Sequence, residues 1–252
     1  MRILISNDDG IEAPGLDVLV DALQPLGEVW VVAPRLEQSA GSHALTMHRP
    51  LRVKQVGERR FWVQGTPADA VYVALHHLLP EPPDLVASGV NLGANIGHDT
   101  LYSGTVAAAM EAALWGRPAM AVSLHVHGGG GGPHWETAAP LAGRLARRLL
   151  DDPLPVRSML NVNVPDLPPG ELRGVRAGEL CHHHWHPRVE QRTDPFGRPY
   201  CWIGGPHDRF AGPPESDGPS LAAGWATVTP LRADLTDQGA LERVQGWALE
   251  LD

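Results

Sequence analysis

Two adjacent carboxylates, Asp8 and Asp9, follow the apolar run Ile3-Leu4-Ile5 after Ser6 and Asn7, and precede Gly10. When both are ionised they repel, unless a cation lies between them. Carboxylate oxygens are the preferred ligands of hard ions such as Mg²⁺, Ca²⁺ or Mn²⁺. Successive side chains on a straight strand face opposite ways, and Gly10 permits the turn that lets the two converge. Other oxygen donors recur in later segments: Ser39, then Asn91 with Asn95, then Ser103-Gly104-Thr105. Carboxylate, hydroxyl and amide oxygens from the first three of these segments suit one divalent ion, leaving room for water and a phosphate oxygen. The Ser103 turn, Gly41 and Ser42 could receive the rest of that phosphate. Such an arrangement performs metal-assisted hydrolysis, in which the ion polarises the phosphoryl group and lowers the pKa of a water. Asp8 or Asp9 could orient or deprotonate that water, and His43 could protonate the leaving oxygen. The plain alternative is a solvated Asp-Asp-Gly turn, which those three residues alone do not separate from a metal site.

These segments need a scaffold that brings them to one rim. Arg2 to Ser6 reads as a strand buried on both faces, as in a parallel sheet. Leu16 to Leu23 reads as a helix stopping by Gly27, and Glu28 to Ala33 as the next buried strand, ending at Pro34. Strand, helix, strand predicts a right-handed parallel unit, whose chemistry collects beyond the carboxyl ends of the strands. Thr46 to Gln64 reads as a hairpin excursion, and Thr66-Pro67-Ala68-Asp69 as a capping box opening a helix. Asp84 to Ser88 predicts a short strand running into the glycine-rich segment Gly89 to Asp99. Val106 to Trp115 predicts an Ala-rich helix capped by Ser103 or Thr105, whose free N–H groups and positive dipole end suit a phosphate. Pro118 to Leu124 and Ser158 to Val164 predict further strands, flanking a helix over Trp135 to Leu150 whose arginines form a solvated face. Gly128 to Gly132 reads as a flexible loop. The α/β core is expected to close near Pro165. Beyond it a Pro- and Gly-rich, hairpin-rich stretch leads to a strand at Trp225 to Leu231 and a final helix capped by Thr236 and carrying Leu241, Val244, Trp247 and Leu249.

Bulk properties exclude several classes. A net charge of −9 over 252 residues argues against a nucleic-acid duplex as partner. No apolar run approaches a membrane span, and Asp8 and Asp9 interrupt any secretory h-region. With only Cys181 and Cys201 and no paired motif, a disulfide framework is not expected, and a reducing, cytoplasmic setting fits. Cys181-His182-His183-His184-Trp185-His186 has the residue types for zinc, but not the spacing of a structural site. Neither a glycine-rich dinucleotide fingerprint nor a Walker lysine motif follows the first strand. A phospho-acceptor receiver module also carries an acidic pair, but here Asp84 begins its strand and Lys54 lies in the hairpin. A non-catalytic, nucleotide-binding module remains the other alternative.

Five ordered motifs carry a resemblance that covers essentially the whole chain. They are Asn7-Asp8-Asp9-Gly10, Ala33-Pro34 with Gln38-Ser39-Ala40, Gly65-Thr66-Pro67-Ala68-Asp69, Ser88-Gly89-Val90-Asn91 and Tyr102-Ser103-Gly104-Thr105-Val106. Trp202-Ile203-Gly204-Gly205 and Val228-Thr229-Pro230-Leu231 extend it. In these the chain resembles the SurE family of stationary-phase survival proteins. The resemblance implies an α/β fold, a Rossmann-like three-layer core with a mainly parallel sheet over residues 1–164. It implies a hairpin-rich C-terminal extension over 165–252, exchanged between subunits of a homodimer or homotetramer. The implied activity is a metal-dependent phosphatase acting on nucleoside monophosphates, a 5′-nucleotidase with 3′-nucleotidase or exopolyphosphatase activity in some members. One divalent cation per subunit, Mg²⁺ or Mn²⁺, is implied on Asp8, Asp9, Ser39 and Asn91, with Asn95 and Ser103 to Thr105 near the phosphate. Glu111-Ala112 departs from the Glu-Gly of many relatives, and the Gly128 to Gly132 and Cys181 to His186 segments are particular to this chain.

Overall fold

A computed structural model describes residues 1–126, 132–185, 188–204 and 207–247. Most of the Gly128 to Gly132 loop, together with His186 and Leu249, therefore lies outside the described residues. The strands are β1 (Arg2–Ser6), β2 (Glu28–Pro34), β3 (Val53–Gly57), β4 (Arg60–Val63), β5 (Leu85–Leu92), β6 (Ala119–His125) and β7 (Ser158–Pro165). They continue with β8 (Val175–Ala177), β9 (His182–Trp185), β10 (Arg188–Thr193), β11 (Pro199–Gly204), β12 (His207–Ala211) and β13 (Ala226–Arg232). The α-helices are α1 (Pro14–Leu23), α2 (Pro67–Val73), α3 (Gly104–Leu114), α4 (Trp135–Asp151), α5 (Asp217–Ala222) and α6 (Gln238–Gln245). No helix among the described residues is long and apolar enough to cross a membrane.

Nine strands form one sheet in the order β3-β4-β2-β1-β5-β6-β7-β13-β8. From β4 to β7 all neighbours run parallel, as the buried apolar runs predict. β1 lies between β2 and β5, so the chain winds outward from it in both directions, and the loops after β1 and β5 open on one crevice. The sheet divides the core in two. Ile3 and Ile5 pack with Leu16, Leu19 and Leu23 of α1 and Leu141 and Leu149 of α4. Leu4 faces the other way, with Val71 of α2 and Ala108, Ala109 and Ala112 of α3. The alanines let α3 lie close on the sheet. Each buried Ile or Leu contributes about 1.5–3 kcal/mol to this three-layer arrangement.

Local chemistry explains most boundaries. Thr66 opens α2 with a complete capping box, and Ser103, not Thr105, caps α3 through the Val106 N–H. Two expectations change. β5 runs four residues past Ser88, because at Gly89 (φ 124°) a Cβ would strike the Val122 carbonyl, and its absence lets the strand continue with a register shift against β6. The cap of α6 is Asp237, whose carboxylate accepts the Ala240 N–H at 2.9 Å, while the Thr236 N–H is turned back to Asp234.

The core expected to close near Pro165 takes further strands from beyond it. β13 pairs antiparallel with β7, and β8 adds parallel to β13. Between them the chain leaves as two antiparallel ribbons, β10–β11 and β9–β12. Val189, Phe196, Trp202 and Ile203 are exposed on the first. Cys181 is buried and Cys201 exposed, both as free thiols. Burial, followed by the neighbouring Asp217, pushes the Cys181 thiol up to about 12, which disfavours the thiolate that zinc requires.

Candidate active site

Asp8 leaves the end of β1 and meets α3 head-on. The Thr105 hydroxyl donates to its Oδ1 at 2.5 Å, and the Thr105 backbone N–H also faces the carboxylate. The anion seated at the N-terminus of α3 is thus Asp8 itself, a contact that spacing alone did not predict. Gly104 makes it feasible: a Cβ there would lie 2.7 Å from Asp8 Cβ. Asp8 is only 5% exposed. Burial raises its pKa more than the two Thr105 contacts lower it. The Ser103 hydroxyl and the Gly104 amide remain on the same helix end.

Asp9 is half-buried. Its carboxyl is pushed up to about 6, first by burial, then by the charges of Asp8 and Glu37, against a lowering contact from the Leu92 backbone N–H. Glu37 was not among the candidates. Its carboxylate raises both aspartates and accepts the Ser39 hydroxyl at 2.7 Å, bringing Ser39 into the same neighbourhood. The Gln38 N–H holds that loop to the Asp8 carbonyl at 2.8 Å. Asn91 precedes Leu92 on β5. Its amide nitrogen donates to the Gly93 carbonyl at 2.8 Å, leaving the side-chain oxygen for a cation.

The rest of the Ser39 loop is occupied differently from expectation. The Gly41 N–H closes a turn onto the Gln38 carbonyl. Ser42 donates its N–H to the Tyr102 carbonyl and its hydroxyl to the Leu101 carbonyl, so neither group is left to hold a phosphate. His43 places Nε2 2.6 Å from Glu111 Oε2 on the third turn of α3, so that nitrogen is committed to a carboxylate instead of a leaving group. Thr46 is bound through both its N–H and its hydroxyl to Asp69, which also completes the capping box. Asp69 and Glu111, both nearly buried, thus fasten an otherwise irregular loop. Asn95 is buried, and its side-chain nitrogen donates to Ser123 Oγ at 2.8 Å.

The family model described as "Survival protein SurE" matches residues 3–187. The chain belongs to the SurE family. It is 47% identical over 249 residues to the 5′-nucleotidase SurE of Halorhodospira halophila, covering 98% of both chains. It is 44% identical over 248 residues to the 5′/3′-nucleotidase SurE of Serratia proteamaculans, covering 98% of this chain and 96% of that one. The crystal structure of the SurE protein from Aquifex aeolicus superposes with a TM-score of 0.86 at 34% identity, covering 97% and 98%.

Within this SurE fold the donor set fits a hard cation by its chemistry. A buried and a half-buried carboxylate, both disfavouring their own charge, stand with an amide oxygen and a hydroxyl, all oxygen donors. A stability signature follows. Asp9 has a folded pKa above its ordinary 3.8, so its contribution is fully present below that value and is lost as pH rises through about 6. Metal-free protein is expected to lose melting temperature between about pH 4 and pH 6, and Asp9→Asn to flatten that segment. Parallel pH–melting curves for the variant and the parent would refute the assignment.

Proposed function

We propose that this SurE chain is a metal-dependent phosphatase of nucleoside monophosphates, a 5′-nucleotidase that also accepts 3′-monophosphates and short polyphosphate. The observation that carries the reading is the pair of a buried Asp8, seated at the head of α3, and a half-buried Asp9 beside it, in a chain 47% identical over nearly its full length to a 5′-nucleotidase SurE. One divalent cation per subunit, Mg²⁺ or Mn²⁺, held by Asp8, Asp9, Ser39 and Asn91, would polarise the phosphoryl group and acidify a water when bound. The protein's own groups do the rest. The Ser103 hydroxyl, the Gly104 amide and the Asn95 side chain bind and orient the phosphate. Asp9 accepts the proton of the attacking water. Thr105 fixes the Asp8 carboxylate so that it need not reorganise during reaction. Residues 165–252 serve assembly into a homodimer or homotetramer in the cytoplasm, a role supported by the apolar side chains exposed on the β10–β11 ribbon.

The test is phosphate release from nucleoside 5′- and 3′-monophosphates and from polyphosphate, with Mg²⁺, Mn²⁺ and Ca²⁺ supplied in turn. Turnover of 5′-monophosphates that vanishes on chelation and returns with metal is expected. Full activity after exhaustive chelation, or no release from any nucleotide, would overturn the proposal.

A further inference from the structure

β7 contains two asparagines, Asn161 and Asn163, that are fully buried. Asn is depleted in strand interiors, where apolar side chains pack better and leave no polar group to satisfy. Met159, two residues earlier on the same face, follows that rule and packs in the core beneath α3. The asparagines instead converge on a single peptide unit. Asn163 Oδ1 accepts the Asn95 N–H at 2.7 Å, while Asn163 Nδ2 donates to the Asn95 carbonyl at 3.0 Å. Asn161 Nδ2 donates to the same carbonyl at 2.7 Å.

Neighbouring contacts complete the hold. Ser123 on β6 meets the Asn95 side chain. Two residues on, the Gly97 N–H donates at 3.0 Å to Asp217 Oδ2, a buried carboxylate of α5 in the C-terminal extension. The Gly93 N–H makes the last main-chain bond to the sheet, reaching the Leu124 carbonyl. Beyond it the loop's path is set by side chains drawn from β6, β7 and α5. A pair of valines on β7 would serve packing alone and leave the Asn95 peptide group buried without partners.

We infer that Asn161 and Asn163 are positioning residues, clamping the Asn95 peptide unit so that its side-chain amide is presented to the substrate phosphate. This deepens the phosphatase reading and rests on it. A rigid presenter lowers the ordering that binding must impose, so its loss weakens capture of the phosphate more than it slows the chemical step.

The experiment compares Asn163→Ala and Asn161→Ala with Thr227→Val. Thr227 is the β13 register partner of Asn163, equally buried, and its hydroxyl has no hydrogen-bond partner, so the valine removes no contact. For each folded variant, KM and kcat for a nucleoside 5′-monophosphate, the inhibition constant of inorganic phosphate and the melting temperature are measured. Asn163→Ala is expected to raise KM and the phosphate inhibition constant about tenfold, with a smaller fall in kcat. Asn161→Ala, which removes one bond of three, is expected to raise both about threefold, and it carries the test should Asn163→Ala fail to fold. Thr227→Val is expected to leave both constants unchanged. Parental constants in the folded asparagine variants, or an equal rise in Thr227→Val, would overturn the inference. Failure of the parent protein to hydrolyse any nucleotide would overturn the phosphatase reading instead.

Discussion

Asp8→Asn is expected to cut phosphate release from a nucleoside 5′-monophosphate by about 10³-fold or more, as loss of a group that organises charge in a transition state commonly does. The same substitution should not lower the melting temperature of metal-free protein, and should raise it at neutral pH. The reason is the burial of the carboxylate: the fold disfavours its charge even with Thr105 donating from both hydroxyl and amide. An asparagine keeps an acceptor for Thr105 and removes the buried charge. Asp9→Asn should follow the same course. Greater stability joined to lost activity marks a residue retained for chemistry. Steady-state phosphate release and thermal melting without added metal check both halves. Turnover within tenfold of the parent would remove Asp8 from the catalytic machinery.

Gly104→Ala is the second large effect. Its new Cβ would sit 2.7 Å from Asp8 Cβ, 2.9 Å from Asp8 Oδ2 and 3.0 Å from Pro67 Cγ. None of these is the loose end of a flexible chain. Asp8 is anchored at the end of β1, and Pro67 begins α2. Either the carboxylate swings away from Thr105 or the first turn of α3 lifts. Both disturb the helix end that the proposal gives to the phosphate, so kcat is expected to fall about 10²-fold. Overpacking should also cost about 1–3 kcal/mol of stability. Kinetics together with urea unfolding separates the two contributions. An alanine variant with parental kcat and midpoint would show that the close approach of α3 to Asp8 has no functional weight.

Features set by neighbouring residues were legible in the chain, whereas features set by strand order were not. The apolar run Ile3 to Ile5 marks β1, and Thr66 to Asp69 marks the start of α2, because each signal lies within a few residues. Ser42 and His43 read as free polar groups beside a glycine. What they touch, the Leu101 carbonyl and Glu111, lies 59 and 68 residues away and is decided by how α3 lies on the sheet. The free N–H groups of α3 were foreseen, yet nothing local says that Asp8, 97 residues earlier than Thr105, comes to sit on them. Asn161-Val162-Asn163 carried a usable signal, since buried strands seldom hold two asparagines on one face. Glu37 offered less, being one acid among several in a polar loop. The Thr236 and Asp237 alternatives for the last helix differ by one residue, and both are good caps.

The place of β13, between β7 and β8, bears on how the chain is made. β7 can pair with β6 as soon as it emerges from the ribosome, but its other edge waits for residues 226–232. At 5–20 residues per second the roughly 60 intervening residues take about 3–12 seconds to translate. Throughout that interval the nascent protein holds a nearly finished parallel sheet ending in an unpaired strand, the kind of edge that recruits foreign chains. Slowing translation downstream of codon 165 should therefore promote co-translational aggregation, whereas slowing it before codon 158, when β7 is not yet made, should not.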